Sequence, residues 1–177
     1  MLVLALCAAA VAHAADEPVP AGFAAAPDEQ PVKVELIAEQ ASVQPGGRTR
    51  IGVHFELEEG WHIYADPPGD AGLPTTITWM APRGVMVGPI QWPKPERFVD
   101  PGDIRTSGYS GVVVPYSTVT LPTRQLDGDA VVLRAQVSWL ACHELCIPGK
   151  TELELTLPVS EQPPVASTHA ELFEHTN

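Results

Sequence analysis

TRIGVHFELE, residues 49–58, decides the fold: Ile51, Val53, Phe55 and Leu57 alternate with Gly52, His54, Glu56 and Glu58. A period of two sends successive side chains to opposite faces, so this segment reads as a strand with one face buried and one in water. Similar text recurs at VKVELIA (32–38), WHIY (61–64), TTITW (75–79), VVVPYSTVTL (112–121), AVVLRAQVSWL (130–140) and TELELTL (151–157). Between these runs lie QPGG, DPPGDAG, APRG and VDPGD, where proline fixes φ and glycine frees it, as turns require. Nineteen prolines leave almost no uninterrupted window for a helix in the body of the chain. The expectation is an all-β protein, an antiparallel β-sandwich of immunoglobulin-like architecture. The Cys…Trp…Cys spacing of antibody domains is absent, so only the architecture is claimed.

Outward from the strands, the ends read differently. Residues 1–14, MLVLALCAAAVAHA, form an apolar run ending in Ala12-His13-Ala14, the small-residue pattern of an export signal cleaved before Ala15. The run is too short to span a bilayer. No Lys or Arg precedes it, and Leu6 stands where a lipid-anchor signal at Cys7 would want a small residue. Residues 15–30 are Pro, Ala and acid, a flexible lead-in by composition. The sandwich is expected over residues 31–160, and 161–177 reads as a linker or tail in which Thr168 and Glu171 have capping-box spacing for one short helical turn. The formal net charge of -12 argues against nucleic acid and anionic membrane surfaces as partners.

With the signal removed, the only cysteines are Cys142 and Cys146 in WLACHELCIPGK. Export places them in an oxidising compartment, where disulfides persist. As a staple such a pair does little, because chain entropy gives a five-residue loop about 2 kcal/mol against about 3 for fifteen residues. Thiol exchange is therefore the favoured reading over a structural bridge. Val131, Leu133, Ala135, Val137 and Trp139 form one face of the preceding strand, and Arg134, Gln136 and Ser138 the other. Continued, that strand gives Cys142 the polar face, and Pro148-Gly149 turn the chain into a segment whose Leu153, Leu155 and Leu157 point inward. His143 would favour a thiolate and Glu144 oppose one, or both are plain loop residues.

Four segments carry a family resemblance: GWHIYADPPGDAGLPTTITW (60–79), GPIQWPKPERF (88–98), SGYSGVVVPY (107–116) and VSWLACHELCIPG (137–149). Together they resemble the N-terminal periplasmic domain of the thiol:disulfide interchange protein DsbD and its ScsB-like relatives. The resemblance implies a periplasmic, immunoglobulin-like electron relay without a cofactor. It takes electrons from a thioredoxin-like donor domain, itself fed by a DsbD-type membrane domain, and reduces periplasmic disulfide isomerases or thioredoxin-like proteins of cytochrome c maturation. Cys142 and Cys146 match the redox pair, with Cys146 as the sulfur that meets partners. Phe98 matches a cap aromatic, with Glu96 beside it, and Tyr64, Trp61 and His143 lie near the pair. The chain departs from the family's acidic pair before that aromatic, because Arg97 follows Glu96. No membrane conduit or second CxxC lies in this sequence, so the chain as given is expected to relay electrons only when a further domain or molecule supplies them.

Two other functional classes stand beside the relay. Cys142 and Cys146 with His62 or His143 could hold Cu(I), which soft thiolates favour, although no HxxxH or Met-rich run accompanies them. A sandwich used only for binding is the other. Trp61, Trp79, Trp92 and Trp139 read as packing residues rather than a ligand platform. Asp66 and Asp70 flank a Pro-Pro-Gly turn and read as solvating it, and neither a phosphate loop nor a nucleophile elbow is present.

Overall fold

The computed structural model describes residues 31–100, 102–123 and 128–174. The export signal, Cys7 and the lead-in expected over residues 1–30 lie outside the described residues. Among the described residues eleven strands follow one another: β1 (Val32–Ala38), β2 (Arg48–Leu57), β3 (His62–Gly69), β4 (Thr76–Met80), β5 (Met86–Val87), β6 (Glu96–Asp100), β7 (Ile104–Ser110), β8 (Val112–Val113), β9 (Tyr116–Thr120), β10 (Ala130–Cys142) and β11 (Cys146–Pro158). They make two sheets whose ladders are all antiparallel, as expected of a sandwich. One sheet runs β1-β2-β9-β5 with β8 on β2, and the other runs β11-β10-β3-β7-β6 with β4 on β10.

The alternation in residues 49–58 is what the core is built from. Ile51, Val53, Phe55 and Leu57 are buried, and from the facing sheet Val131, Leu133, Ala135, Val137 and Trp139 meet them. Phe55 and Trp139 pack edge to face across the two sheets, with ring centroids 6.1 Å apart. Gly149 is the register partner of Trp139, and a Cβ there would lie 2.1 Å from the indole. Pro148 and Gly149, read from the sequence as the turn, lie inside β11 instead, paired with Leu140 and Trp139, so this glycine makes room for the tryptophan and not for a turn.

Three differences from the sequence reading have physical causes. Pro115 divides 112–121 into β8 and β9, since proline has no N–H for the ladder. Residues 96–100 and 104–110, read as loop around VDPGD, form the β6–β7 ribbon instead. Its outer strand carries mostly exposed, polar side chains, which leave little alternation to detect.

The third difference is the tail. Residues 161–174, read as a linker, pack on the sandwich: Gln40 bridges Ala166, Ser167 bonds the carbonyl of Ala38, and a 3-10 turn spans Ala170–Phe173. Thr168 does not cap that turn; the N-cap position is His169, without a side-chain bond. Phe173 is 1 % exposed and sits with Ile37 and Val114. Arg50 fixes the end, donating to Glu39 through two nitrogens, to the Phe173 carbonyl at 2.9 Å and to Glu174 at 3.0 Å. That bonding holds the Glu39 carboxyl below its ordinary range. Phe173→Ala should cost about 3 kcal/mol, read as a lower urea midpoint, because it empties a fully buried aromatic site. An unchanged midpoint would mean that the tail contributes nothing to the core.

Candidate redox site

β10 and β11 form a long hairpin whose last register pair is Cys142 with Cys146, joined as a disulfide with Cα atoms 4.1 Å apart. His143–Leu145 close the hairpin, with the His143 N–H donating to the Leu145 carbonyl. The two sulfurs' residues differ in access. Cys142 is 3 % exposed, and Cys146 is exposed.

On its other side, β10 continues onto β3, where Cys142 is opposite His62, and β3 onto β7, where His62 is opposite Ser110. One cross-strand row therefore reads Ser110, His62, Cys142, Cys146 over four strands. Directly opposed residues carry Cβ atoms about 4.5–5.5 Å apart on one face, so the row is a line of neighbouring side chains.

Phe98 comes over this row from β6. Its ring stacks on the His62 imidazole, with centroids 4.4 Å apart and planes 13° from parallel. Tyr64, 4 % exposed, meets the same imidazole edge to face at 5.1 Å. Asp100, at the end of β6, places Oδ1 3.9 Å from His62 Nε2 and accepts the Thr106 hydroxyl at 3.0 Å. Glu96 accepts from the Ser110 hydroxyl at 3.0 Å. Trp61 is half-buried, with its ring centroid 5.9 Å from that of exposed His143.

The structure thus brings Tyr64, Phe98 and Glu96 to the row that holds the cysteines, and Trp61 to the hairpin tip. It adds His62 and Asp100, which the sequence reading left out of the relay. Two-residue spacing from Tyr64 placed His62 on the same strand face, but nothing in the sequence revealed which residue of β10 lay opposite. Burial pushes the His62 imidazole below its ordinary value; Asp100 opposes that shift and His143 adds to it. Burial raises the Tyr64 phenol, and Asp100 raises it further.

Among the described residues, no group of three or more His, Cys, Asp or Glu side chains is placed to hold a metal ion. No helix among them is long and apolar enough to cross a membrane.

The family model described as thiol:disulfide interchange protein DsbD, N-terminal, matches residues 28–158. Among solved structures, the N-terminal periplasmic domain of ScsB from Proteus mirabilis is similar, at 26% identity and TM-score 0.57. The match covers 86% of this chain and 55% of that one, so the chain spans about half the length of that relative. The Neisseria meningitidis DsbD N-terminal domain in its reduced form aligns at 16% identity and TM-score 0.45, over 80% of this chain and 94% of that one. No curated protein sequence matches significantly.

Proposed function

Because this chain belongs to the family of the N-terminal domain of the thiol:disulfide interchange protein DsbD, we propose that it is a periplasmic electron relay. In this reading Cys142 and Cys146 cycle between dithiol and disulfide. A thioredoxin-like domain supplies the electrons, with a DsbD-type membrane domain behind it. Oxidised disulfide isomerases or thioredoxin-like proteins of cytochrome c maturation receive them, which makes the domain a protein-disulfide reductase module.

One observation carries the proposal: the disulfide sits at the tip of a hairpin with one cysteine exposed and the other buried. Exchange needs a sulfur that a foreign thiolate can reach and a second that leaves and later returns. An exposed Cys146 beside a shielded Cys142 supplies that division, and it supports Cys146 as the partner-facing sulfur. Phe98 and Tyr64, packed around the neighbour of Cys142, support the reading of these aromatics as a cover on the inner side of the pair.

The test is a redox titration. Purified protein equilibrated at defined glutathione ratios should gain and lose two thiols together, with superimposable circular dichroism in both forms. The five-residue loop contributes only about 2 kcal/mol, against about 5–15 kcal/mol for a typical domain. Its core residues lie between the sheets and not at the hairpin tip. Unfolding on reduction would make the bridge a structural staple and end the relay reading.

A further inference from the structure

A relay must move protons as well as electrons, and here the problem falls on Cys142. When the reduced pair attacks an oxidised partner, Cys146 forms a mixed disulfide and Cys142 must then attack Cys146 as a thiolate. Cys142 is 3 % exposed, and burial raises a thiol's pKa by disfavouring the charged form. A group able to take its proton must stand beside it.

His62 is that neighbour by register. Its side chain is 6 % exposed, and Nε2 has no hydrogen-bond partner. The Asp100 carboxylate, 3.9 Å away, is beyond hydrogen-bond length yet near enough to steady a positive ring. A buried ring nitrogen left unpaired is costly to a fold, and accepting a proton gives this one a use. Phe98 on one ring face and Tyr64 at its edge hold the imidazole in place.

We propose that His62 is the general base for Cys142 in the relay, an assignment that rests on the exchange reading of the pair. The proton of the Cys142 thiol passes to the imidazole, and the thiolate attacks Cys146 Sγ. The Cys142–Cys146 bond forms as the bond from Cys146 to the partner's sulfur breaks. The partner's thiolate leaves with the electron pair, so the pair is oxidised and the partner reduced by two electrons. The imidazolium, facing Asp100, then releases its proton to solvent. In the reverse direction a donor thiolate attacks Cys146, Cys142 leaves as thiolate, and a solvent proton returns to it through His62. The other titratable groups around the ring are Tyr64 from β3, His143 from the hairpin tip, and Glu96, which reaches the row through Ser110.

The test uses 5,5′-dithiobis(2-nitrobenzoic acid) on the reduced protein in a stopped-flow instrument. The first release of chromophore reports attack by Cys146, and the second reports resolution by Cys142. In wild type the second phase should stay level through neutral pH and fall only as His62 gains a proton. His62→Phe, which keeps a ring under Phe98, should slow that phase about 100-fold near neutrality. The slowed phase should then climb about tenfold per pH unit toward the thiol's pKa, with the first phase unchanged. His62→Gln, polar but without a base, should behave alike and serves if the Phe variant does not fold. Equal second phases in wild type and variants, or a wild-type second phase that climbs tenfold per unit through neutrality, would overturn the assignment and leave exchange intact. Reduced wild type that releases no chromophore at all would overturn the exchange reading itself.

Discussion

Cys142→Ser is expected to trap a covalent complex with a thioredoxin-like domain through Cys146, while Cys146→Ser traps at least about tenfold less. The asymmetry follows from access. A thiolate can attack only a sulfur it can approach, and Cys146 is exposed whereas Cys142 is 3 % exposed at the inner end of the row. Removing Cys142 also removes the thiol that would release the partner. That thiol is held beside Cys146 by the β10–β11 register, and oriented intramolecular attack outruns any competitor from solution by a large effective concentration. The mixed disulfide should therefore persist in the Cys142→Ser variant through non-reducing electrophoresis. The partner is a single-cysteine thioredoxin-like domain activated as a mixed disulfide. Equal trapping by both variants would remove the division of labour. No trapping by either, together with Cu(I) binding lost in both, would favour the copper class instead.

The hairpin was legible over residues 130–140 and 151–157, where the side chains alternate and alternation is a local signal, but not over Cys146–Lys150, where Pro148-Gly149 read as a turn and β11 runs straight through them. The polar parity of Cys142 followed from the alternation, as did the position of the pair at the turn. What the parity did not reveal was burial. Cys142 is on the outer face of β10, yet it is buried, and its neighbour in the row, His62, lies under Phe98 of the β6–β7 ribbon. That ribbon is a non-local arrangement of mostly exposed residues, and periodicity has no purchase on it. The same holds for the tail. Phe173 fills a site whose other walls, Ile37 and Val114, lie on β1 and just beyond β8, so no window of sequence contains the contact. Composition around SEQPPVAS correctly describes a segment without regular structure, and irregular chain can still be packed chain.

Gly108→Ala should destabilise the protein by about 3 kcal/mol, although the usual argument from chain entropy predicts the opposite sign. Gly108 is not among the residues with positive φ, so alanine could adopt its backbone conformation. Where nothing else intervenes, such a change stabilises by about 0.4–1 kcal/mol through the unfolded state. Here something intervenes. A Cβ at Gly108 would lie 2.1 Å from the Ile63 carbonyl oxygen and 3.3 Å from the Tyr64 Cα, and both are backbone atoms of β3. No rotamer change relieves that overlap, so β7 must move away from β3. Overpacking of ordinary side chains already costs about 1–3 kcal/mol, and a backbone wall places this case at the upper end. The damage would also reach the site, because β7 and β3 carry Ser110 opposite His62 two residues further on, and β6 with Phe98 hangs from β7. Urea denaturation of the oxidised protein reads the stability. The rate at which glutathione opens the disulfide reads the site, and it should rise as the cover loosens. Ser107→Ala, one residue earlier on the opposite face of β7, should stay within about 0.5 kcal/mol of wild type. A Gly108→Ala protein as stable as wild type would mean that the two strands are not held as closely as this structure places them. The cover over Cys142 would then not depend on their contact.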